Sequence, residues 1–247
     1  MKNTLIEEIV KLRESGLLSE ALSKVNDLLT VHEENNDKKG LVEALGHKRL
    51  VLNHIAEAKS SMDEKESVVK EMLEVAGKAI AIAEKEFSGD KAMRALLNMH
   101  LADALISYSE HSKTQNKNDI LQNALELVTK SVDDLGGSKA HKAWGLNKKA
   151  QIHHLLDQTR EALDSLKIAE QAIFDGYDEE IKSGQDGIAK IKTWLSGTWL
   201  TYAKIAKDKN KQEIANLYAN AVKSLPDAEK TLVLRKKQAE KIIDEIK

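Results

Sequence analysis

The sequence predicts an all-α protein in which amphipathic helices are stacked in antiparallel pairs. Ala, Leu, Glu and Lys dominate the 247 residues, whereas proline occurs once, at Pro226, and aromatic residues make up only 4%. Such a composition favours helices. No run of β-branched or aromatic residues bounded by Gly or Pro is long enough to indicate a strand. A helix–turn–helix pattern also recurs along the chain and is clearest in residues 144–170.

Clusters of Gly, Asn, Asp and Ser mark the ends of the predicted helices. These residues favour caps and turns over helix interiors, and their clusters divide the chain into about eleven helices. We place the breaks at residues 15–16, 34–37, 59–61, 88–90, 113–116, 136–138, 157–159, 175–177, 207–210 and 225–226. None of them is long or proline-rich enough for an interdomain linker. The sequence therefore predicts one continuous domain over residues 1–247.

Between the breaks, apolar residues recur every three or four positions, as they do along one face of a helix. Consecutive helices are expected to pair over residues 1–36, 37–88, 89–137, 138–178 and 179–225. A last helix over residues 226–247 is expected to cover the end of the stack. Pro226 suits the first turn of that helix, where a missing N–H has no consequence.

The pair in residues 144–170 resembles the tetratricopeptide repeat, a helix–turn–helix of about 34 residues. In that family, small residues lie where the two helices pack closely. The matching residues here are Leu146 and Ala150 in the first helix, Asp157 in the turn, and Ala162, Leu166 and Ala169 in the second helix. Further matches are Gly16 and Ala21; Leu45, Gly46, Ala76, Ile80 and Ala83; Leu101, Ala102 and Ala124; and Tyr218, Ala221 and Pro226.

Two features depart from the family pattern. Tyr202 and Ile214 stand where small residues are expected, and the units are spaced more widely than the family period, so several helices are extended. The resemblance implies a right-handed α-solenoid of about five antiparallel helix pairs plus a C-terminal capping helix. In such a stack the first helix of each pair lines a concave groove.

The resemblance also assigns particular residues of the first helices to this groove. They are Glu43, His47 and Leu50 in the second pair; Met99, Asp103 and Ile106 in the third; Trp144, Asn147, Gln151 and His154 in the fourth; and Trp199, Ala203 and Lys207 in the fifth. Amides beside an indole suit an extended peptide, because they hydrogen-bond its backbone while the ring supplies apolar area. Trp144 and Trp199 fit the groove and the core between helices equally well, whereas Trp194 fits the core.

The sequence offers little for catalysis or metal binding. It contains no cysteine, which excludes a thiol nucleophile and a thiolate metal site. It also lacks the Glu-x-x-His pairs of di-iron bundles, the His-Glu-x-x-His zinc motif and a Gly-rich phosphate loop. His47 and His54 lie two turns apart on one helix face and would need ligands from other helices to hold a metal. We therefore predict no catalytic residues, no metal and no cofactor.

Charge and hydropathy narrow the choice of partners. The net charge is −2 with 32% charged residues, whereas a nucleic-acid binder needs a surplus of Lys and Arg. The basic run at residues 234–237 is expected to be a solvated helix face.

The first ten residues contain Glu7 and Glu8 and develop no apolar signal core. No stretch approaches the length of a membrane span. We expect a cytoplasmic protein that binds neither nucleic acid nor membrane.

These observations predict a non-catalytic scaffold that binds a protein or peptide through the concave groove. A peptide-sensing regulatory protein is the alternative, and an all-α hydrolase or metal enzyme is a third hypothesis that needs ligands from several helices. One subfamily of the repeat binds the C-terminal carboxylates of chaperones through Lys and Asn on the first helix of the first unit. The corresponding residues here are Ile6 and Val10, which do not support that function.

Overall fold

The computed structural model describes residues 2–226 and 232–246, with side chains from Leu5 onward. Within this described part, 84% of the residues are helical and there is no strand, which confirms the predicted all-α class. The chain divides into two compact units, unit 1 (residues 1–134) and unit 2 (residues 135–247). The single continuous domain over residues 1–247 stays a prediction.

Unit 1 contains six helices in its described residues. They are α1 (Lys2–Glu14), α2 (Leu18–Glu34), α3 (Lys38–Ala58), α4 (Met62–Glu86), α5 (Lys91–His111) and α6 (Lys117–Ser131). The predicted breaks in this part of the chain coincide with the ends of these helices.

Side-chain caps explain where three of these helices begin. At the start of α3, the Asp37 carboxylate accepts a hydrogen bond from the Gly40 backbone N–H at 3.0 Å. At the start of α4, Ser61 Oγ accepts one from the Glu64 N–H at 3.2 Å. Asp90 caps α5 in the same way. Each cap satisfies an N–H group that the first turn of a helix leaves without a backbone partner.

Helix α3 lies within the core of unit 1 and carries apolar side chains on two faces. Ala44 and Val51 pack with residues of α1 and α2. Leu45 and Leu52 pack with residues of α4 and α5. The first helices of successive pairs also touch, α1 against α3 and α3 against α5. Neighbouring pairs thus bury apolar faces that no single pair could cover.

Unit 2 begins with a 3₁₀ turn at Lys139–His141, followed by five helices in its described residues. They are α7 (Lys142–Leu155), α8 (Thr159–Ile181), α9 (Gln185–Asp208), α10 (Gln212–Lys223) and α11 (Val233–Glu245). The start predicted for the last helix includes residues 227–231, which lie outside the described residues. None of the described helices in either unit is both long enough and apolar enough to cross a membrane.

Three alanines lie where helices of unit 2 pack closely. Ala150 of α7 and Ala162 and Ala169 of α8 are all 0% exposed, which confirms the burial that the sequence predicted. Ala150 and Ala162 share one apolar cluster with Leu166 and with Ile205 of α9. Larger side chains at these positions would force the helices apart.

The break predicted at residues 175–177 is wrong, because α8 continues through Gly176 to Ile181. Gly176 is not a turn residue but a point of close approach. A Cβ atom on Gly176 would lie 2.2 Å from the backbone nitrogen of Ala140. The chain turns instead at residues 182–184, where Gly184 adopts a positive φ of 67° that suits glycine.

Candidate functional site

In unit 1, three of the six predicted groove residues are at least partly exposed and three are buried. On α3, Glu43 is exposed, and His47 and Leu50 are partly exposed. On α5, Met99, Asp103 and Ile106 are 0%, 5% and 3% exposed. Helix α5 packs against α3, α4 and α6, so it is buried on most of its faces. This placement corrects the groove register for α5 and makes Met99 and Asp103 interior residues.

Asp103 forms an ion pair that the sequence did not reveal. Its carboxylate accepts a hydrogen bond from Nη1 of Arg49 on α3, and Arg49 is 0% exposed. Nε and Nη2 of Arg49 are also buried, and neither has a hydrogen-bond partner among the described residues. A buried guanidinium is stabilised only when its charge and its N–H groups are satisfied. Arg49 is therefore the least satisfied charged group of this core.

Three first helices contribute polar side chains around Arg49. Arg13 comes from α1, His47 from α3, and His100 with Asp103 from α5. The pKa of His47 is lowered from 6.5 to about 4, first by burial and then by the positive charges of Arg13 and Arg49. Burial and Arg49 also hold the pKa of His100 well below its usual value. Both rings are thus neutral at pH 7, in surroundings that disfavour further positive charge.

In unit 2, three predicted groove residues of α7 form one line that faces α9. Asn147 is 6% exposed. Gln151 Nε2 donates to Thr201 Oγ1 at 3.2 Å, and His154 Nε2 lies 2.9 Å from an Asp208 carboxylate oxygen. Spacings of four and three residues put these side chains on one face of α7. Gln151 and His154 thus bond to α9, whereas Asn147 Oδ1 and His154 Nδ1 are buried without a hydrogen-bond partner in the described residues.

Two cationic residues lie at the contact between α9 and α11, Lys207 on α9 and Arg235 on α11. Lys207 donates to Glu245 of α11, so this predicted groove residue joins two helices. A Cβ atom on Gly197 would lie 3.4 Å from Asn147 Nδ2 and 3.8 Å from Nη1 of Arg235. Arg235 therefore reaches toward α9 and is partly buried, whereas the sequence suggested a solvated basic face.

Trp144 and Trp194 both stack on His141 of the 3₁₀ turn. The ring centroids of Trp144 and His141 are 6.0 Å apart, and those of Trp194 and His141 are 5.4 Å apart. Both tryptophans are partly buried. Trp194 belongs to the apolar cluster of α8 and α9 around Ala169, consistent with the core position predicted for it.

Trp199 does not share a face with Asn147, Gln151 and His154. Its Nε1 donates to Glu170 Oε1 of α8 at 3.2 Å, and its ring packs with Tyr218 of α10 and Ile243 of α11. The α7 line touches another side of α9. The expectation that all four side chains line one face is corrected by these contacts.

Trp199 belongs instead to a partly exposed apolar surface. On α8, Leu163, Glu170, Phe174 and Tyr177 are spaced by seven, four and three residues and so lie on one face. Glu170 connects this face to α9 through Trp199 and, at 3.5 Å, through the Tyr202 hydroxyl. The Tyr202 ring stacks on Tyr218 of α10 with centroids 4.6 Å apart. We use the name α8–α10 surface for the following set of side chains: Leu163, Phe174, Tyr177, Trp199, Tyr202, Ile214, Leu217 and Tyr218.

The α8–α10 surface combines exposed apolar side chains with fixed polar ones. Phe174 is 70% exposed and Leu217 is 67% exposed. Burial and the Glu170 charge raise the pKa of the Tyr202 hydroxyl, so it stays protonated and able to donate. These groups offer apolar contact and hydrogen bonding. The sequence missed this surface because the resemblance directed attention to the first helices, whereas Phe174 and Leu217 belong to second helices.

No group of three or more His, Asp or Glu side chains in the described part of the chain is arranged to hold a metal ion. Comparison with known proteins adds no assignment. No protein-family model matches this chain, and the search of curated proteins finds no match.

Proposed function

We propose that this protein is a non-catalytic, tetratricopeptide-like scaffold that binds a protein partner, and that the α8–α10 surface makes the main contact. The observation that carries this proposal is the exposure of Phe174 on α8 and Leu217 on α10, at 70% and 67%. The same two helices contact the partly exposed Trp199 and Tyr202 of α9 through Glu170 and Tyr218. Contiguous exposed apolar surface marks interaction sites. Aromatic rings also dominate the energetics of protein interfaces.

Several packing features support the tetratricopeptide-like part of the proposal. Helices that follow one another in the chain pack together, and within each unit the first helices of successive pairs touch, as α7 and α9 do. Small residues such as Ala150 and Ala162 are buried between helices. Helix α11 packs on α9 and α10, as a terminal capping helix would.

The line of Asn147, Gln151 and His154 on α7 is the second candidate for a binding surface. Buried Asn147 Oδ1 has no hydrogen-bond partner within the described chain, and a peptide N–H could complete it. This surface corresponds to the groove expected from the family. The peptide-sensing regulator remains the alternative function, and the cytoplasmic location stays a prediction.

A capture experiment with paired variants tests the proposal. The full chain and the variant Phe174→Gln with Leu217→Gln would be used to isolate partners, which mass spectrometry would identify and quantify. Gln is a good helix former, so helix content should be unchanged by circular dichroism. We expect the double variant to capture at least tenfold less of the specific partner than the wild type does. A tenfold loss corresponds to about 1.4 kcal/mol of binding free energy.

The control replaces exposed apolar residues of similar type in unit 1. Val31 and Met62 are 46% and 45% exposed, so Val31→Gln with Met62→Gln removes comparable apolar surface elsewhere. This control should capture the partner as the wild type does. Undiminished capture by the Phe174→Gln and Leu217→Gln variant would reject the α8–α10 surface.

A further inference from the structure

The unused N–H groups of Arg49 lie on one edge of its guanidinium. Nη1 donates to Asp103, whereas Nε and Nη2 are buried with no partner in the described part of the chain. Nε–H and Nη2–H point the same way, side by side. This is the fork that holds two oxygens of a carboxylate or phosphate at once. Because Arg49 is 0% exposed, bulk water does not replace the missing partner.

A second arginine and a histidine also have buried nitrogen atoms without a hydrogen-bond partner in the described residues. Nε and Nη2 of Arg13 donate to Glu14, whereas its Nη1 is buried and unpartnered within the described residues. The same holds for Nδ1 of His47. Arg13 comes from α1, and His47 and Arg49 come from α3, which packs against α1. Arg13 and Arg49 both lie close enough to His47 to lower its pKa, after the larger effect of burial.

The electrostatic surroundings favour an anion over a cation. Burial is the main reason that the pKa of His47 is lowered to about 4, and the positive charges of Arg13 and Arg49 act in the same direction. Burial also lowers the pKa of Arg49, and the charge of Arg13 adds to that effect. Groups that suppress one another's positive charge are stabilised by a negative charge placed between them. Asp103 supplies one such charge, and its carboxylate accepts a hydrogen bond from Nη1 of Arg49.

We propose that unit 1 binds a small oxyanion, the phosphate or carboxylate group of a ligand, at the cluster of Arg13, His47 and Arg49. The Nε and Nη2 edge of Arg49 holds two of its oxygens, and Arg13 Nη1 donates to the group from α1. His47 and Arg13 are partly exposed, unlike Arg49, so the ligand would enter past their side chains. A bound oxyanion joins α1 to α3 and stabilises unit 1.

This site is independent of the α8–α10 surface, which belongs to unit 2. It also differs from the carboxylate-binding site of the repeat subfamily described above, because the first-helix positions of that site are Ile6 and Val10 here. In this chain the buried Arg49 supplies the contact with the oxyanion. Failure of one proposal therefore leaves the other unaffected.

Isothermal titration calorimetry of the full chain tests the site. Sodium phosphate and sodium acetate would be titrated separately at constant ionic strength, with sodium chloride as the reference. We expect saturable binding of at least one oxyanion. Saturation by phosphate alone assigns a phosphate group as the ligand, and saturation by acetate assigns a carboxylate. Absence of saturable binding for both would overturn the proposal.

Two variants locate the binding. Arg13→Gln should weaken the oxyanion at least tenfold. Arg49→Met with Asp103→Leu should abolish binding, and it removes both charges of the buried pair so that neither is left alone. Arg160→Gln, on an exposed arginine of α8, is the control and should bind as the wild type does. Unchanged affinity in Arg13→Gln would overturn the site, and this variant decides the matter if the double variant does not fold.

Discussion

At the scale of single residues, unit 1 depends on charges that are buried and paired. Arg49 and Asp103 are separated by 54 positions in the sequence, yet they form a contact inside the core between α3 and α5. Removal of one member of such a pair leaves an isolated charge in a region that water does not reach. Replacement of both members by apolar residues avoids that penalty.

The buried pair gives a prediction about stability. Asp103→Leu alone should lower the free energy of unfolding by about 3–5 kcal/mol, because it leaves Arg49 buried without its carboxylate. Arg49→Met with Asp103→Leu should lose much less, since no buried charge remains. Urea unfolding followed by circular dichroism measures both. Equal losses in the two variants would mean that the pair contributes through packing alone.

His47 gives a prediction about pH. Its pKa is 6.5 in an unfolded chain and about 4 in the folded protein, where burial and then the charges of Arg13 and Arg49 disfavour the protonated ring. Above pH 6.5 both states carry the neutral ring, so His47 leaves stability unchanged. As the pH falls from 6.5 toward 4, the unfolded state takes up the proton and the folded state does not. Stability should therefore decrease over that window, by up to about 1.4 kcal/mol for each pH unit.

The melting temperature measured at intervals from pH 7 to pH 4.5 tests this linkage. His47→Gln should make the decrease shallower than in the wild type, because Gln does not titrate. His100, Arg49, Asp103 and Arg13 remain in place and supply the rest of the pH dependence. A decrease as steep in His47→Gln as in the wild type would show that His47 is not its source.

At the scale of helices, close approach explains both the success and the failure of the sequence predictions. Apolar spacings of three or four residues and cap residues such as Asp37 and Ser61 are local sequence signals, so the helices and most of their ends could be predicted. The role of Gly176 could not be predicted, because glycine occurs both in turns and where two helices cross closely. The backbone of Ala140, which lies against Gly176, is distant in sequence, so periodicity carries no information about it.

Two helical glycines give opposite predictions for the same substitution. Gly176→Ala places a methyl group 2.2 Å from the backbone of Ala140, whereas a Cβ on Gly77 of α4 meets nothing within 4 Å. Gly77→Ala should raise stability by roughly 0.5–1 kcal/mol through the helix propensity of alanine. Gly176→Ala should lower it by about 1–3 kcal/mol through overpacking. Thermal unfolding measures both effects. Stabilisation by both substitutions would argue against the close approach of Gly176 to Ala140.

At the scale of the whole molecule, two compact units each have their own core and their own candidate site. The sequence predicted helix content and pairing, but it placed the binding residues on first helices only. Met99 and Asp103 proved to be interior because α5 is packed by three helices. Trp199 proved to face α8 and α10. These outcomes depend on which neighbours surround each helix, and one helical pattern is compatible with several surroundings.

Hydrogen–deuterium exchange distinguishes a partner site on the second helices of unit 2 from one on the first helices. The full chain would be compared with and without its captured partner. We expect amides of α8 and α10 around Phe174 and Leu217 to become protected when the partner binds, while those of α7 are unchanged. Protection confined to α7 around Asn147 and Gln151, with α8 and α10 unaffected, would reject the α8–α10 surface and move the interface to the first helices.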